Sequence, residues 1–310
     1  MTDLNDLKVL KRYDKSNMLE LLESFPEQCS KARSIGDAFT LFGAFKSSYN
    51  NIVFTGLGGS AIGADLARSY TADEARSPIH VNRNYTLPRF VDEKTVVIVS
   101  SYSGNTEETL SAYKDARQKK ARIIAVTSGG ELEKLAKSDG YPLITIPKGL
   151  PPRCALGYSF FPNLILLSKL GAIEEKAREI DEAIELLRNL KENETGHARP
   201  EKANISKRIA NALYGKYPII YGGQDHIDAV VTRWRGQLAE NSKTLSSSHI
   251  IPEMNHNEIV GWENPKKIFK YITVVLLRDK DDHGRTARRM DITKTIIGRE
   301  GVKVIELNSR

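Results

Sequence analysis

From residue 51 onward the chain alternates short runs of β-branched and apolar residues with longer stretches of mixed polarity. The short runs, at 52–55, 79–82, 96–100, 122–127 and 143–146, have the length and two-sided apolar character of strands buried in a parallel sheet. Between them, 61–70, 107–119 and 131–138 carry apolar residues at helical spacing. A proline-rich crossing at 147–159 leads to an apolar helix at 161–170 and charged helices at 174–192 and 201–214. The alternation then restarts, with strands at 219–221, 247–251, 271–277 and 302–307 and helices at 227–243 and 285–298. This spacing predicts a doubly wound, parallel α/β architecture, and its repetition predicts two similar lobes. Upstream, Leu19, Leu21, Leu22 and Phe25, then Ala38, Phe39, Leu41, Phe42 and Phe45, recur at helix-like intervals, so this segment is expected to be helical and to pack on the sheet that follows. The expected layout is an N-terminal helical segment (1–46), a first lobe (47–150), a helical connector (151–214) and a second lobe (215–310) short at its C-terminus.

Two strand-to-helix turns carry candidate chemistry. In Thr95-Val-Val-Ile-Val-Ser-Ser-Tyr-Ser-Gly-Asn-Thr-Glu-Glu-Thr109 the strand passes through Ser101, Ser103, Gly104 and the N-cap candidate Thr106 into a helix. Such a turn aims free backbone N–H groups and the positive end of the helix dipole above the sheet, and here three hydroxyls join them. Asn51-Ile-Val-Phe-Thr-Gly-Leu-Gly-Gly-Ser-Ala61 repeats the arrangement with glycines and Ser60. Turns on neighbouring strands of a doubly wound sheet open into one crevice at the carboxyl ends of the strands. Ser60, Ser101, Ser103 and Thr106 are therefore expected to converge on a single phosphate. The glycine run also fits the dinucleotide fingerprint, but the strand that should end in a ribose-binding carboxylate reads Ile79-His-Val-Asn-Arg-Asn84, which argues against a nucleotide.

Composition narrows the partners. The net charge of +7 is spread over 46 basic and 39 acidic residues, and no helix-turn-helix, ribonucleoprotein or arginine-rich signature is present, so an anionic metabolite suits the chain better than nucleic acid. No apolar run is long enough for a bilayer, and the start Met1-Thr-Asp-Leu-Asn-Asp-Leu7 is polar and acidic, unlike a signal peptide; a cytoplasmic protein without membrane contact is expected. Cys29 and Cys154 are too few and too far apart in sequence for a disulfide framework or a zinc knuckle.

Three further residues are candidates for reaction chemistry. Arg153 follows Pro151 and Pro152, whose fixed shape suits delivery of a guanidinium to an oxyanion, although most arginines are simply solvated. Glu240 lies on the helix that carries Trp234 and Leu238, where apolar neighbours favour a base of raised pKa; most helix glutamates, again, only face water. His256, in Pro252-Glu-Met-Asn-His-Asn-Glu-Ile-Val-Gly-Trp-Glu263, suits either acid–base work or the capping of a turn. No histidine has a metal-ligand spacing.

Taken in order, Gly56-Leu-Gly-Gly-Ser-Ala-Ile-Gly63, Ser101-Tyr-Ser-Gly-Asn-Thr-Glu-Glu-Thr109, Pro152-Arg-Cys-Ala-Leu-Gly-Tyr158, Arg235-Gly-Gln-Leu-Ala-Glu-Asn-Ser-Lys243 and Met254-Asn-His-Asn-Glu-Ile-Val-Gly-Trp262 resemble the archaeal and bacterial bifunctional phosphoglucose/phosphomannose isomerases. The resemblance implies two α/β lobes of the sugar isomerase (SIS) fold and a homodimer with shared sites. It also implies interconversion of glucose 6-phosphate or mannose 6-phosphate with fructose 6-phosphate, as in glycolysis and gluconeogenesis, without a metal or other cofactor. Carried over, Gly59, Ser60, Ser101, Ser103 and Thr106 would hold the phosphate, and Arg153 would stabilise the enediolate. Glu240 would move the proton between C1 and C2, and His256, from the neighbouring subunit, would open the ring. In the family, helices beyond the strand equivalent to 303–307 carry a lysine near the ring oxygen and a threonine used in substrate discrimination; the present sequence reads to Arg310. The alternative is a non-catalytic sugar-phosphate sensor of the same fold, which would have no need for Glu240 paired with His256.

Overall fold

The computed structural model describes residues 3–42, 45 and 48–310, so the expected boundary at 46/47 lies outside the described residues. Contacts group the chain into two units, Asp14–Lys191 and Met1–Tyr13 with Glu192–Arg310, which divides the stretch expected as a connector. Helix α1 (Leu7–Tyr13) buries none of its residues. It falls in the later unit, where the Glu201 N–H donates to Asn5 Oδ1 at 2.7 Å, so the segment expected as one helical piece is divided.

The unit Asp14–Lys191 runs α2 (Met18–Glu23), α3 (Phe25–Ala38), β1 (Asn51–Thr55), α4 (Gly58–Tyr70), β2 (Ile79–Asn82), β3 (Thr95–Ser101), α5 (Glu107–Gln118), β4 (Arg122–Thr127), α6 (Gly130–Asp139), β5 (Leu143–Thr145), α7 (Leu156–Lys169) and α8 (Ala177–Leu190). Its strands are all parallel, in the order β2-β1-β3-β4-β5. Successive side chains of a strand point to opposite faces. Val53, Val97, Val99, Ile123 and Ala125 accordingly pack with Ala112, Tyr113 and Leu132 of α5 and α6. Ile52, Phe54, Val96, Ile98 and Ile124 pack with residues of α3, α4 and α7. β3 lies inside the sheet and is buried along its whole length, which is why it carries no polar residue before Ser100 except the buried Thr95.

The apolar pattern overran α3: the helix ends at Ala38 and Phe39 is extended, because Phe39 and Leu41 turn onto the core while Phe42 stays exposed. Helix α7 begins at Leu156, five residues before the sequence expectation, and carries Pro162 inside it. A proline leaves one carbonyl of the preceding turn without its N–H. The buried Asn163 side chain donates to the next carbonyl, Ser159 O, at 2.7 Å, and the sheet covers this segment.

The later unit contains α9 (Ile205–Leu213), β6 (Tyr217–Gly223), α10 (Asp228–Gln237), β7 (Ser247–Ile251), α11 (Lys266–Phe269), β8 (Ile272–Arg278), α12 (Gly284–Arg299) and β9 (Lys303–Asn308). Its four strands are parallel in the order β7-β6-β8-β9. Ile220, Val275 and Leu277 face α9 and α10; Tyr221, Val274 and Leu276 face a cluster with Trp262, Met290 and Ile297. Both units are therefore parallel α/β sheets covered on both faces, the architecture expected. Among the described residues no helix is long and apolar enough to cross a membrane.

Candidate functional site

The carboxyl ends of β1 and β3 meet where the strand order reverses, which is where ligands bind in open parallel sheets. Ser60 sits in the first turn of α4, 7% exposed, and its Oγ accepts the backbone N–H of Tyr102 at 3.0 Å. Ser101, at the end of β3, accepts the Gly104 N–H at 3.1 Å and pairs with Thr106 Oγ1 at 2.9 Å. Thr106 is the N-cap of α5 as expected, but it gives no side-chain cap, because its hydroxyl is engaged with Ser101. Ser103 is exposed and accepts the Asn105 N–H at 3.2 Å. The acceptor roles of Ser60 and Ser103 leave their O–H protons to donate, and the Ser101–Thr106 pair has one more. The helix N-termini add uncapped N–H groups. No carboxylate occurs in 56–60 or 101–106, so the two turns themselves offer donors only.

A third strand-to-helix turn, not among the expected site elements, holds this one in place. Gly104 adopts φ +71°, and a side chain there would strike the carbonyl of Gly129. The Ser128 N–H and hydroxyl both donate to Tyr102 O, at 3.1 and 2.6 Å, and the Leu132 N–H donates to Gly104 O at 2.9 Å. Its signal was present: Thr127-Ser-Gly-Gly-Glu131 again runs from a strand through glycines into a helix.

Arg153, half-buried, lies in a single 3-10 turn, Pro152–Cys154, whose backbone is tied down by Gln28; Gln28 Nε2 donates to Cys154 O at 2.8 Å. This turn abuts the cradle at Gly59: a Cβ on Gly59 would sit 2.6 Å from Pro152 O and 3.9 Å from the Arg153 N. Glycine at 59 thus serves close backbone packing of the α4 N-terminus against the arginine turn. One unit brings together Gly59, Ser60, Ser101, Ser103, Thr106 and Arg153.

Glu240 and His256 belong to the later unit. Helix α10 passes into a π turn, Leu238–Ser242, closed by Lys243 in the left-handed region, instead of continuing as α-helix to 243. Isolated π turns are common at functional sites. Glu240 lies in this turn, exposed, and its carbonyl accepts Lys243 Nζ at 2.6 Å. Beside the turn, Trp234, Leu238, Ser242 and Lys243 line a groove of about 770 Å³ together with residues of α9; Glu240 is not among its walls. His256 ends a 3-10 turn that follows β7 and is exposed. Because α10 runs back along the sheet, Glu240 stands at the end where β7 begins and His256 at the end where it stops. The five residues of β7 separate the two by roughly 16 Å at 3.3 Å per residue. No hydrogen bond or ion pair joins Glu240 to His256 among the described residues. Glu258 accepts the hydroxyl of Tyr221, a fully buried strand residue whose phenol is pushed far up by burial and then by Glu258 itself. Among the described residues no group of three or more His, Cys, Asp or Glu is placed to hold a metal ion.

The SIS domain model matches residues 47–147, and the model of the bacterial phospho-glucose isomerase C-terminal SIS domain matches residues 202–310. The bifunctional phosphoglucose/phosphomannose isomerase of Caldicellulosiruptor bescii is 49% identical over 280 residues, covering 90% of this chain and 82% of that protein. The chain belongs to the bifunctional phosphoglucose/phosphomannose isomerase family. By family it is an isomerase. The protein of the same description from Aquifex aeolicus is 38% identical over 260 residues, covering 84% of this chain and 76% of its own length. Among solved structures, the C-terminal domain of glucosamine-fructose-6-phosphate aminotransferase from Francisella tularensis covers 96% of this chain and 85% of its own, with a TM-score of 0.71 at 15% identity. At that identity it speaks for the SIS fold alone.

Proposed function

We propose that this isomerase interconverts glucose 6-phosphate and mannose 6-phosphate with fructose 6-phosphate through a cis-enediol, without a metal, in the cytoplasm. The carrying observation is the cradle at the switch point of the first sheet, where Ser60, Ser103 and the Ser101–Thr106 pair present donors and neither turn carries a carboxylate. A phosphate held there fixes one end of an open-chain sugar. Glu240, by the family resemblance, takes the proton from C2 of the aldose and returns it to C1, while O1 gains a proton and the C1 carbonyl becomes a hydroxyl, and O2 loses its proton and the C2 hydroxyl becomes a carbonyl. C2 is planar in the enediol and keeps no configuration, so one intermediate connects both aldoses to the ketose. Arg153 stabilises the oxyanion that develops during each transfer. His256 opens the ring. The placement of Glu240 and His256 at opposite ends of one sheet supports a homodimer in which each histidine serves the glutamate of a second copy.

A coupled assay with fructose 6-phosphate, reading glucose 6-phosphate and mannose 6-phosphate separately, tests the proposal. Formation of both, unchanged by EDTA, is expected. Binding of fructose 6-phosphate without turnover would overturn the catalytic reading in favour of a sensor, and activity lost to EDTA and restored by a divalent cation would overturn the metal-free mechanism.

A further inference from the structure

Tyr102 is joined to Ser60, to the Ser128 turn and to the loop that leads to Arg153, and nothing in the proposed chemistry uses its phenol. Its backbone N–H donates to Ser60 Oγ at 3.0 Å, and its carbonyl accepts from Ser128. Its hydroxyl donates to Pro147 O at 2.9 Å and accepts the Leu150 N–H at 3.0 Å. The phenol therefore spans the start of the loop that ends in the Arg153 turn, and Gly59 meets the other end of that loop at Pro152. Burial raises the phenol above its ordinary 10.0, so it stays protonated and able to donate at any working pH. The ring is half-buried against the core of the unit and cannot swing away without losing that packing.

We propose that Tyr102 is a positioning residue: its side chain holds the 147–153 loop so that Arg153 stands at a set distance from the phosphate turn of which Tyr102 is itself a member. The inference rests on the isomerase reading above. The reacting carbons of a hexose 6-phosphate are at the far end of the molecule from its phosphate. A phosphate anchor and an oxyanion stabiliser act on the same substrate only if their separation is fixed, and a misplacement of about 1 Å far from the chemistry is enough to cost a hundredfold. Tyr102 supplies that fixity with one residue, since its backbone belongs to the anchor and its phenol to the loop that bears the stabiliser.

Tyr102→Phe keeps the ring and all backbone bonds and removes both phenol bonds. Compared with the parent enzyme, kcat for fructose 6-phosphate is expected to fall about tenfold or more, while KM changes less than about threefold because the phosphate contacts survive. In the Tyr102→Phe background, Arg153→Lys is expected to cost clearly less than in the parent, because the guanidinium is already misplaced. Tyr49→Phe removes a comparable half-buried phenol bond, to Leu170 O at 3.0 Å, away from the cradle, and kcat should be unchanged. A Tyr102→Phe enzyme with parental kcat, or full additivity with Arg153→Lys, overturns the inference. A parent enzyme without isomerase activity instead overturns the function on which it rests.

Discussion

The order β7-β6-β8-β9 of the second sheet matches the first four strands, β2-β1-β3-β4, of the five-stranded first sheet, and in each the chain leaves the first strand through glycine, Gly56 after β1 and Gly223 at the end of β6. Their crevices nevertheless have opposite chemistry. The first offers hydroxyls and helix N-termini. In the second, Gly223 is followed by Gln224, Asp225 and Asp228, and the carboxyl end of β8 adds Asp279 and Asp282. Gln224 Nε2 is already spent on Asp225 at 3.3 Å and Asp228 at 3.5 Å. Asp282 is half-buried, and burial, more than any neighbour, raises its carboxyl above the ordinary 3.8. Arg278 and His226 offset part of this charge, but a phosphate placed there would still meet four carboxylates that the first pair of turns does not have. Topology locates a crevice; the turn residues decide what it holds.

The sharpest test of this division assigns binding to one unit and proton transfer to the other. Glu240→Gln keeps the shape of the π turn and removes the proposed base. kcat should fall at least about a hundredfold, about 2.7 kcal/mol, with fructose 6-phosphate binding retained and solvent tritium exchange into the sugar lost. Exchange at the parent rate would transfer the role to another carboxylate, of which Glu263 is freer than the Tyr221-bound Glu258.

The glycines that open the two crevices give the next largest effect. A Cβ on Gly56 would stand 2.6 Å from Ser100 O, rigid strand backbone, and one on Gly223 would stand 2.5 Å from Asp282 Oδ1, the tip of a side chain. Gly56→Ala is expected to cost about 1–3 kcal/mol by overpacking, measured by urea denaturation, and to impair phosphate binding. Gly223→Ala should cost about 1 kcal/mol or less, the value of one hydrogen bond, since Asp282 can turn aside at the expense of its 2.9 Å bond from the Asp279 N–H. Equal costs would mean that the second crevice is as rigid as the first.

Exchanging the chemistry itself is a milder perturbation. Ser103→Asp places a carboxylate on the exposed part of the cradle without disturbing the core, and KM for fructose 6-phosphate should rise about tenfold or more, while Asp225→Ser in the other crevice leaves it unchanged. The smallest effect is expected from Asp282→Asn, which keeps an acceptor for Asp279. Because the folded-state pKa of Asp282 is raised, its contribution to stability is complete below 3.8 and is lost as pH climbs through the raised value. The variant should therefore melt slightly higher than the parent at pH 7 and at the same temperature below pH 3.8.

Much of the first crevice was legible because its parts are local. Val96–Val99 reads as a buried strand, and the hydroxyls and glycine that follow appear within seven residues of its end. The Thr127–Glu131 turn carries the same signature of strand end, glycines and helix start, but its part in the site lies in a tertiary contact, the packing of Gly104 against Gly129. The π turn at Glu240 was not legible: Leu238-Ala-Glu-Asn-Ser242 suits an α-helix by composition, and the left-handed Lys243 that closes it is a tertiary choice.

By itself the sequence determined the two alternating α/β patterns and the donor-rich turns with Ser60, Ser101, Ser103 and Thr106, since strand runs, glycine and hydroxyl turns and helix starts are written in neighbouring residues, while Gly59, Arg153, Glu240 and His256 took their roles from the family resemblance. Tertiary structure alone decided which of them meet. The bonds from Tyr102 to Ser60, Pro147 and Leu150 span 42, 45 and 48 residues of chain, and the approach of Gly59 to Pro152 spans more. Such contacts follow from the register of parallel strands and the packing of helices across them, in which a one-residue shift would turn every side chain to the other face. The same fold sets Glu240 and His256 at opposite ends of β7, because the segment between them runs as an extended strand of the sheet.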